Sequence, residues 1–132
     1  MNTIKNNFGT DFEIKVTELQ DGMEFRVMGP NGEVGHLVAN STNDSKYLAI
    51  SDAYIDMLER GKGLWKNLMY YARDAVKALG YKGLFSAGQF RRPASNRSWK
   101  GMTDKIEKMN AKTHKLDYYL ENLQTYEHFR GH

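Results

Sequence analysis

Ile55-Asp56-Met57-Leu58-Glu59-Arg60-Gly61-Lys62-Gly63-Leu64-Trp65 is the stretch on which the reading of this chain turns. It reads as the end of a strand, a glycine loop and the start of a helix. Arg60 to Gly63 place two glycines and two cations just before an amphipathic run. Such a loop presents backbone N–H groups at a helix N-terminus, where the macrodipole favours a phosphate-bearing ligand. A strand before the loop and a strongly amphipathic helix after it make the signal stronger than the four residues alone.

Working outward from the loop, Leu64, Trp65, Leu68, Met69, Ala72, Ala75, Val76 and Leu79 fall at helical spacing. They predict a helix over about 63–79, stopped by Gly80. Leu84 and Phe85 centre a short strand at 81–87. Strand, helix and strand in this order imply a parallel pairing. Upstream, Phe12, Ile14 and Val16 alternate with polar residues, as do Met23, Phe25 and Val27. Turn signals at Gln20–Gly22 and Gly29–Gly32 separate these strands from a third at 33–39. Residues 40–46 read as a loop. A fourth strand runs from Tyr47 to Met57, with its apolar phase changing from Leu48 and Ile50 to Ala53, Ile55 and Met57. A one-residue slip near Ser51-Asp52, a β-bulge, explains the change. Downstream, Trp99, Met102, Ile106, Met109, Leu116 and Leu120 recur at three- and four-residue steps with a gap at Thr113. They predict a helix from about 96 to at least 115, with Ser95 or Asn96 as its cap. A closing strand is expected near 117–121, then an irregular end carrying Tyr126 and Phe129.

The chain has 132 residues, enough for one core and read as a single domain over 1–132. Residues 1–9 are expected as a flexible N-terminus, without the apolar segment of a signal peptide. No apolar run is long enough to span a membrane. Cysteine is absent, which excludes disulfides, thiolate metal sites and a Cys nucleophile. That suits a cytoplasmic protein. His36, His114, His128 and His132 lack ligand spacing, so no metal site is predicted. Charge is uneven: residues 1–60 carry 5 Lys/Arg against 10 Asp/Glu, whereas residues 89–116 carry 8 against 2. Basic surface near the loop suits an anionic ligand.

The element order and the Arg60-Gly61-Lys62-Gly63-Leu64 loop resemble the GCN5-related N-acetyltransferase (GNAT) family, whose cofactor loop reads Arg/Gln-x-x-Gly-x-Gly/Ala. Asn96, in the loop after the strand at 81–87, is a second match. The resemblance covers roughly residues 12–115 and implies an α+β, α/β-type mixed sheet: antiparallel strands 1–4, then helix, parallel strand and helix. It implies acetyl-CoA as cofactor, with the pyrophosphate on the N–H groups of Arg60, Gly61, Lys62, Gly63 and Leu64. The pantetheine arm would pair with the splayed strand end near Ile55, Met57 and Leu58, and Asn96 would add a contact. A backbone N–H near Ile55–Met57 would polarise the acetyl carbonyl. An amine would attack directly, and Asp52 or Asp56 would take its proton.

The sequence departs from the family in three places. Trp65 stands where the loop normally ends in Gly or Ala. Thr103 stands where a Tyr often serves as general acid, leaving Tyr118 or Tyr119 to substitute. The N-terminal helices that shape the acceptor pocket are missing, and the closing strands are short or absent. A partner or a homodimer would then help to recognise the acceptor, an amine-bearing small molecule or protein. A different reading is a binding module that has lost catalysis. It would meet nucleic acid or protein through the basic segment 91–115, which carries Arg91, Arg92, Arg97, Lys100, Lys105, Lys108, Lys112 and Lys115.

Overall fold

The computed structural model describes residues 2–42 and 46–122. Five strands form an antiparallel meander: β1 (Thr3–Lys5), β2 (Asp11–Leu19), β3 (Gly22–Gly29), β4 (Gly32–Ser41) and β5 (Tyr47–Ile55). Helix α1 (Leu64–Ala78) then crosses to β6 (Gly83–Ser86), which pairs parallel to β5. Helix α2 (Pro93–Lys100) leads to an antiparallel hairpin of β7 (Ile106–Met109) and β8 (Leu116–Leu120). The sheet order is β1-β2-β3-β4-β5-β6-β8-β7.

Alternation decides which face is buried. Phe12, Ile14, Met23, Phe25, Val27, Leu37, Ala39 and Leu48 point to one face and are buried there. Helix α1 covers that face with Leu64, Leu68, Met69, Ala72 and Val76, all essentially inaccessible. Burying each of the larger of these side chains contributes about 1.5–3 kcal/mol. The helix ends in a Schellman turn at Gly80 (φ +101): Tyr81 N–H reaches the Val76 carbonyl and Gly80 N–H the Lys77 carbonyl. Trp99 of α2 is buried on the same face, against Trp65 and Tyr118.

Two expectations are corrected. The N-terminus is not a flexible lead. Ile4 is fully buried in β1, which pairs with β2, and Asn67 on α1 donates its side-chain amide to the Lys5 carbonyl. A single apolar residue among polar ones hides this strand from a periodicity reading. The helix expected over 96–115 ends at Lys100. Gly101 closes it, and the stripe of Ile106 and Met109 belongs to β7. Steps of three and four residues mimic a helix there, and pairing of Ile106 with Tyr119 and Lys108 with Asp117 overrides them. The closing strands are short, as expected, with four residues in β7 and five in β8, and β8 lies where a closing strand was expected. Tyr126, Phe129, His128 and His132 lie outside the described residues.

Candidate active site

Strands β5 and β6 begin side by side and then part. They pair only at Tyr47 with Gly83, Leu48 with Leu84 and Ala49 with Phe85, whereas β5 stays on β4 as far as Ile55. From Ile50 onward, one side of β5 opens into a V. At the start of that opening Val38 pairs with Asp52 but Ala39 pairs with Ile50, so Ser51 is the extra residue of a bulge. The Ser51 hydroxyl pins it, donating to the Asn40 side chain at 2.7 Å and lying 3.3 Å from the Val38 carbonyl. This is the slip that the apolar phase change predicts. It keeps Ala53 and Ile55 on the inner face and turns Asp52 and Tyr54 to the outer one.

Backbone direction follows. Asp56 N–H donates to the Val34 carbonyl at 2.7 Å, so by alternation the N–H and C=O of Ile55 turn toward the V. Consistent with this, Arg60 Nε reaches the Ile55 carbonyl from the open side, at 2.8 Å. A single 3₁₀ turn over Met57–Glu59 leads from β5 into the glycine loop. Gly61 and Gly63 hold φ values of +76° and +82°, which favour glycine. Gly63 is the N-cap of α1 and has no side-chain cap. The first N–H to reach back is that of Asn67, to the Gly63 carbonyl. The N–H groups before it, including those of Leu64 and Trp65, have no acceptor within the helix and make the helix start a seat for an anion.

Two cavities adjoin this framework. One, of about 370 Å³, lies between the glycine loop and α2 and includes Arg60, Gly61, Gly63, Arg92, Arg97 and Ser98. The other, of about 420 Å³, lies in the V itself, between Ala49–Ala53 of β5 and Phe85–Ala87 at the end of β6. Cations predominate around the first: three arginines face a single Glu59.

Of the residues singled out from sequence, Ile55, Arg60, Gly61 and Gly63 come together in the first cavity and Asp52 lines the second. Lys62 stands at the loop with its ammonium 3.7 Å from Glu59. Leu64 is buried and serves the loop only through its backbone. Met57 and Leu58 lie on the turn with their side chains about three-quarters exposed, and Asp56 lines neither cavity. Asn96 does not cap α2. It lies one turn inside the helix, behind Pro93, and its side-chain oxygen accepts from Arg91 Nε at 2.6 Å. Tyr118, the candidate acid, lies in the core. It is 1% exposed, lines neither cavity, and is sandwiched between Trp99 (5.4 Å between ring centres) and the Arg91 guanidinium (4.0 Å).

The basic segment 91–115 does not form one face. Arg91 turns inward and donates to the carbonyls of Ser86 and Leu116, at 3.0 and 2.6 Å. Burial lowers its pKa despite nearby Tyr118 and Asp117. Arg92 and Arg97 face the cavity beside the glycine loop. Lys105 donates to the Met102 carbonyl and lies 3.3 Å from Glu107. Only tertiary structure sorts these cations, because their sequence spacing is uninformative once the long helix is gone.

Sequence reading missed His36. On the outer face its Nε2 is 2.7 Å from Asp52 Oδ2 and its Nδ1 is 3.4 Å from Glu33, which in turn accepts from Arg26 Nε at 2.6 Å. The Arg26 hydrogen bond, ahead of the smaller contribution of His36, holds the Glu33 carboxyl below its usual pKa. These residues come from three strands, so no local motif announces them.

No family model and no curated protein matches the chain by sequence. Solved structures do match by shape. A candidate streptothricin acetyltransferase from Bacillus anthracis, solved with acetyl coenzyme A, aligns with a TM-score of 0.61 at 15% identity, over 80% of this chain and 65% of that one. This chain thus spans about two-thirds of that protein's length. A candidate GNAT-family acetyltransferase from Desulfovibrio desulfuricans aligns with a TM-score of 0.61 at 16% identity, over 76% of this chain and 69% of that one. A Bacillus subtilis acetyltransferase solved with CoA aligns with a TM-score of 0.55 at 13% identity, over 85% of this chain and 99% of that one. The bulged and splayed strand, the glycine loop and the parallel crossover, together with these alignments, give the chain the fold of the GNAT acetyltransferases.

Proposed function

We propose that this chain is an N-acetyltransferase that moves an acetyl group from acetyl-CoA to an amine. The observation that carries the reading is the continuity of the open V between β5 and β6 with an uncapped helix start flanked by arginines. The residues fit the cofactor. The α1 N-terminus, Arg92 and Arg97 provide a seat for phosphates, and the N–H groups of Ile55 and Ala53 provide an open strand edge for an amide-bearing arm. Acetyl-CoA supplies the activated thioester. Solved neighbours that carry acetyl coenzyme A or CoA support the reading.

In this reading the N–H groups of Ala53 and Ile55 orient the thioester and hydrogen-bond to the oxygen that gains charge as the amine attacks. Asp52, at the bulge, would take the amine proton directly or through one water, as the C–S bond breaks and CoA leaves as its thiol. His36 holds the carboxylate from behind. An amine held in the V is brought close to the carbonyl, so much of the rate comes from proximity. The acceptor class is an amine-bearing small molecule or protein segment, and the outer face of the sheet, which neither helix covers, is its approach.

The test is calorimetric titration of the full chain with acetyl-CoA, comparing the R92A/R97A double variant. Micromolar binding weakened at least tenfold in the variant supports the reading. Absence of heat at millimolar cofactor removes it. The basic segment gives a binding-only function less support, since Arg91 and Lys105 are committed inside the fold.

A further inference from the structure

The two cavities meet at a neck. Ala53 of β5, Trp65 of α1, and Arg92 and Ser95 at the start of α2 line both of them. Trp65 is the only large apolar side chain in this set.

The indole is supported from behind. It meets Trp99 edge-on, with ring centres 5.8 Å apart and planes at 80°. Trp99 is 2% exposed and stacks on Tyr118, which the Arg91 guanidinium covers on its other side. Arg91 is itself tied to the Ser86 and Leu116 carbonyls. A packed column therefore runs from the sheet to Trp65, and a close-packed core does not let the ring retreat. In front of it stands Ala53, the smallest inner-face side chain of β5 beyond the bulge. Bulky Trp65 and small Ala53 therefore give the junction between the cationic cavity and the splayed strand an apolar side, beside the polar Arg92 and Ser95.

We propose that Trp65 is a specificity-determining residue, the wall against which the slender, amide-bearing arm of a nucleotide-linked thioester packs as it passes from the phosphate seat to the V. The inference rests on the acetyl-CoA reading above and deepens it. The arm buries apolar surface on the indole, while the nucleotide and phosphates stay on the far side of the neck. Trp65 thus contributes to binding of the whole cofactor but not of its nucleotide half.

The chain holds two tryptophans, so the test reads tryptophan emission and calorimetry together. The ligands are acetyl-CoA and adenosine 3′,5′-bisphosphate, and the proteins are the full-length wild type, Trp65→Phe and Trp65→Ala. Acetyl-CoA is expected to change wild-type emission saturably, with the calorimetric Kd, and the bisphosphate is not. Trp65→Phe keeps acetyl-CoA affinity within about 3-fold and loses most of the emission change, whereas Trp65→Ala weakens acetyl-CoA about 3- to 10-fold, the range of a lost aromatic contact. The bisphosphate affinity of both variants stays at the wild-type value. Equal weakening of both ligands in Trp65→Ala overturns the proposal, because it reports general damage. Tighter acetyl-CoA binding by that variant overturns it too, since the indole would then be an obstruction. Should Trp65→Ala fail to fold, the wild-type and Trp65→Phe measurements decide alone. Calorimetric binding of acetyl-CoA with silent emission sinks this inference and leaves the acetyltransferase reading standing. No heat from acetyl-CoA with wild type sinks both.

Discussion

Asn7 packs directly against Gly63: its N–H donates to the Lys62 carbonyl at 2.6 Å, and its carboxamide occupies the space a Cβ on Gly63 would need. The N-terminal turn therefore braces the glycine loop. Gly61, two residues earlier, has the same left-handed backbone but open space around it. The two glycines should respond differently to alanine. Gly61→Ala is expected to cost about 1–2 kcal/mol, the penalty of a Cβ at positive φ. Gly63→Ala adds the cost of turning the exposed Asn7 carboxamide out of the way, which makes it the more destabilising of the two. Urea denaturation of the two variants checks this, and equal midpoints would contradict the brace.

Neighbouring arginines should separate into two roles. Arg91 covers Tyr118 and makes hydrogen bonds to Ser86, Leu116 and Asn96. Arg91→Ala is expected to destabilise the fold by about 2–4 kcal/mol, through a lost cation–π contact and orphaned acceptors. Arg92 is exposed at the cavity beside the loop. Arg92→Ala should shift stability by less than about 0.5 kcal/mol while weakening acetyl-CoA. Thermal unfolding and calorimetry on the same samples test the split.

Asp52 is 63% exposed at its side chain and hydrogen-bonded to His36. Asp52→Asn should leave unfolding and acetyl-CoA affinity near wild type and lower kcat for amine acetylation about 10²-fold or more, the usual scale of a lost general base. His36→Ala should produce a smaller loss. Steady-state kinetics with an accepted amine checks it. Wild-type kcat in Asp52→Asn would move the base elsewhere.

Alkaline pH should unfold the protein through its buried phenols. Burial raises the Tyr70 pKa, with Asp104 beside it adding to the effect, and burial raises Tyr71 as well. A tyrosine ionises near pH 10 in the unfolded chain. The fold favours the neutral form, so this stability is fully present below pH 10 and is lost as pH climbs from there toward the folded values. Ultraviolet titration should show these phenols resisting ionisation until cooperative unfolding. Tyr70→Phe should lessen the alkaline loss, and an unchanged pH dependence would argue against it.

Much of the architecture was legible in order. Alternation in β2 and β3, turn residues between them, and the helical stripe from Leu64 to Val76 are local signals, each repeating within a few residues. The bulge at Ser51 was legible too, because one extra residue reverses the apolar phase on either side of it. The glycine loop was legible because two glycines stand between the strand and the amphipathic run, and both adopt positive φ.

What the sequence determined by itself is therefore what short-range chemistry controls: strand faces, the ends of α1, the bulge and the loop. Tertiary structure alone decided the rest. It placed Ile4 in β1 and turned Ile106–Met109 into β7, because pairing with distant strands outweighs local periodicity. It divided equally basic arginines between the core and the cavity wall, and it joined Asp52 to His36 across two strands. Side-chain spacing carries no record of such contacts, since partners remote in sequence meet only when β5 and β6 part and the helices close over one face.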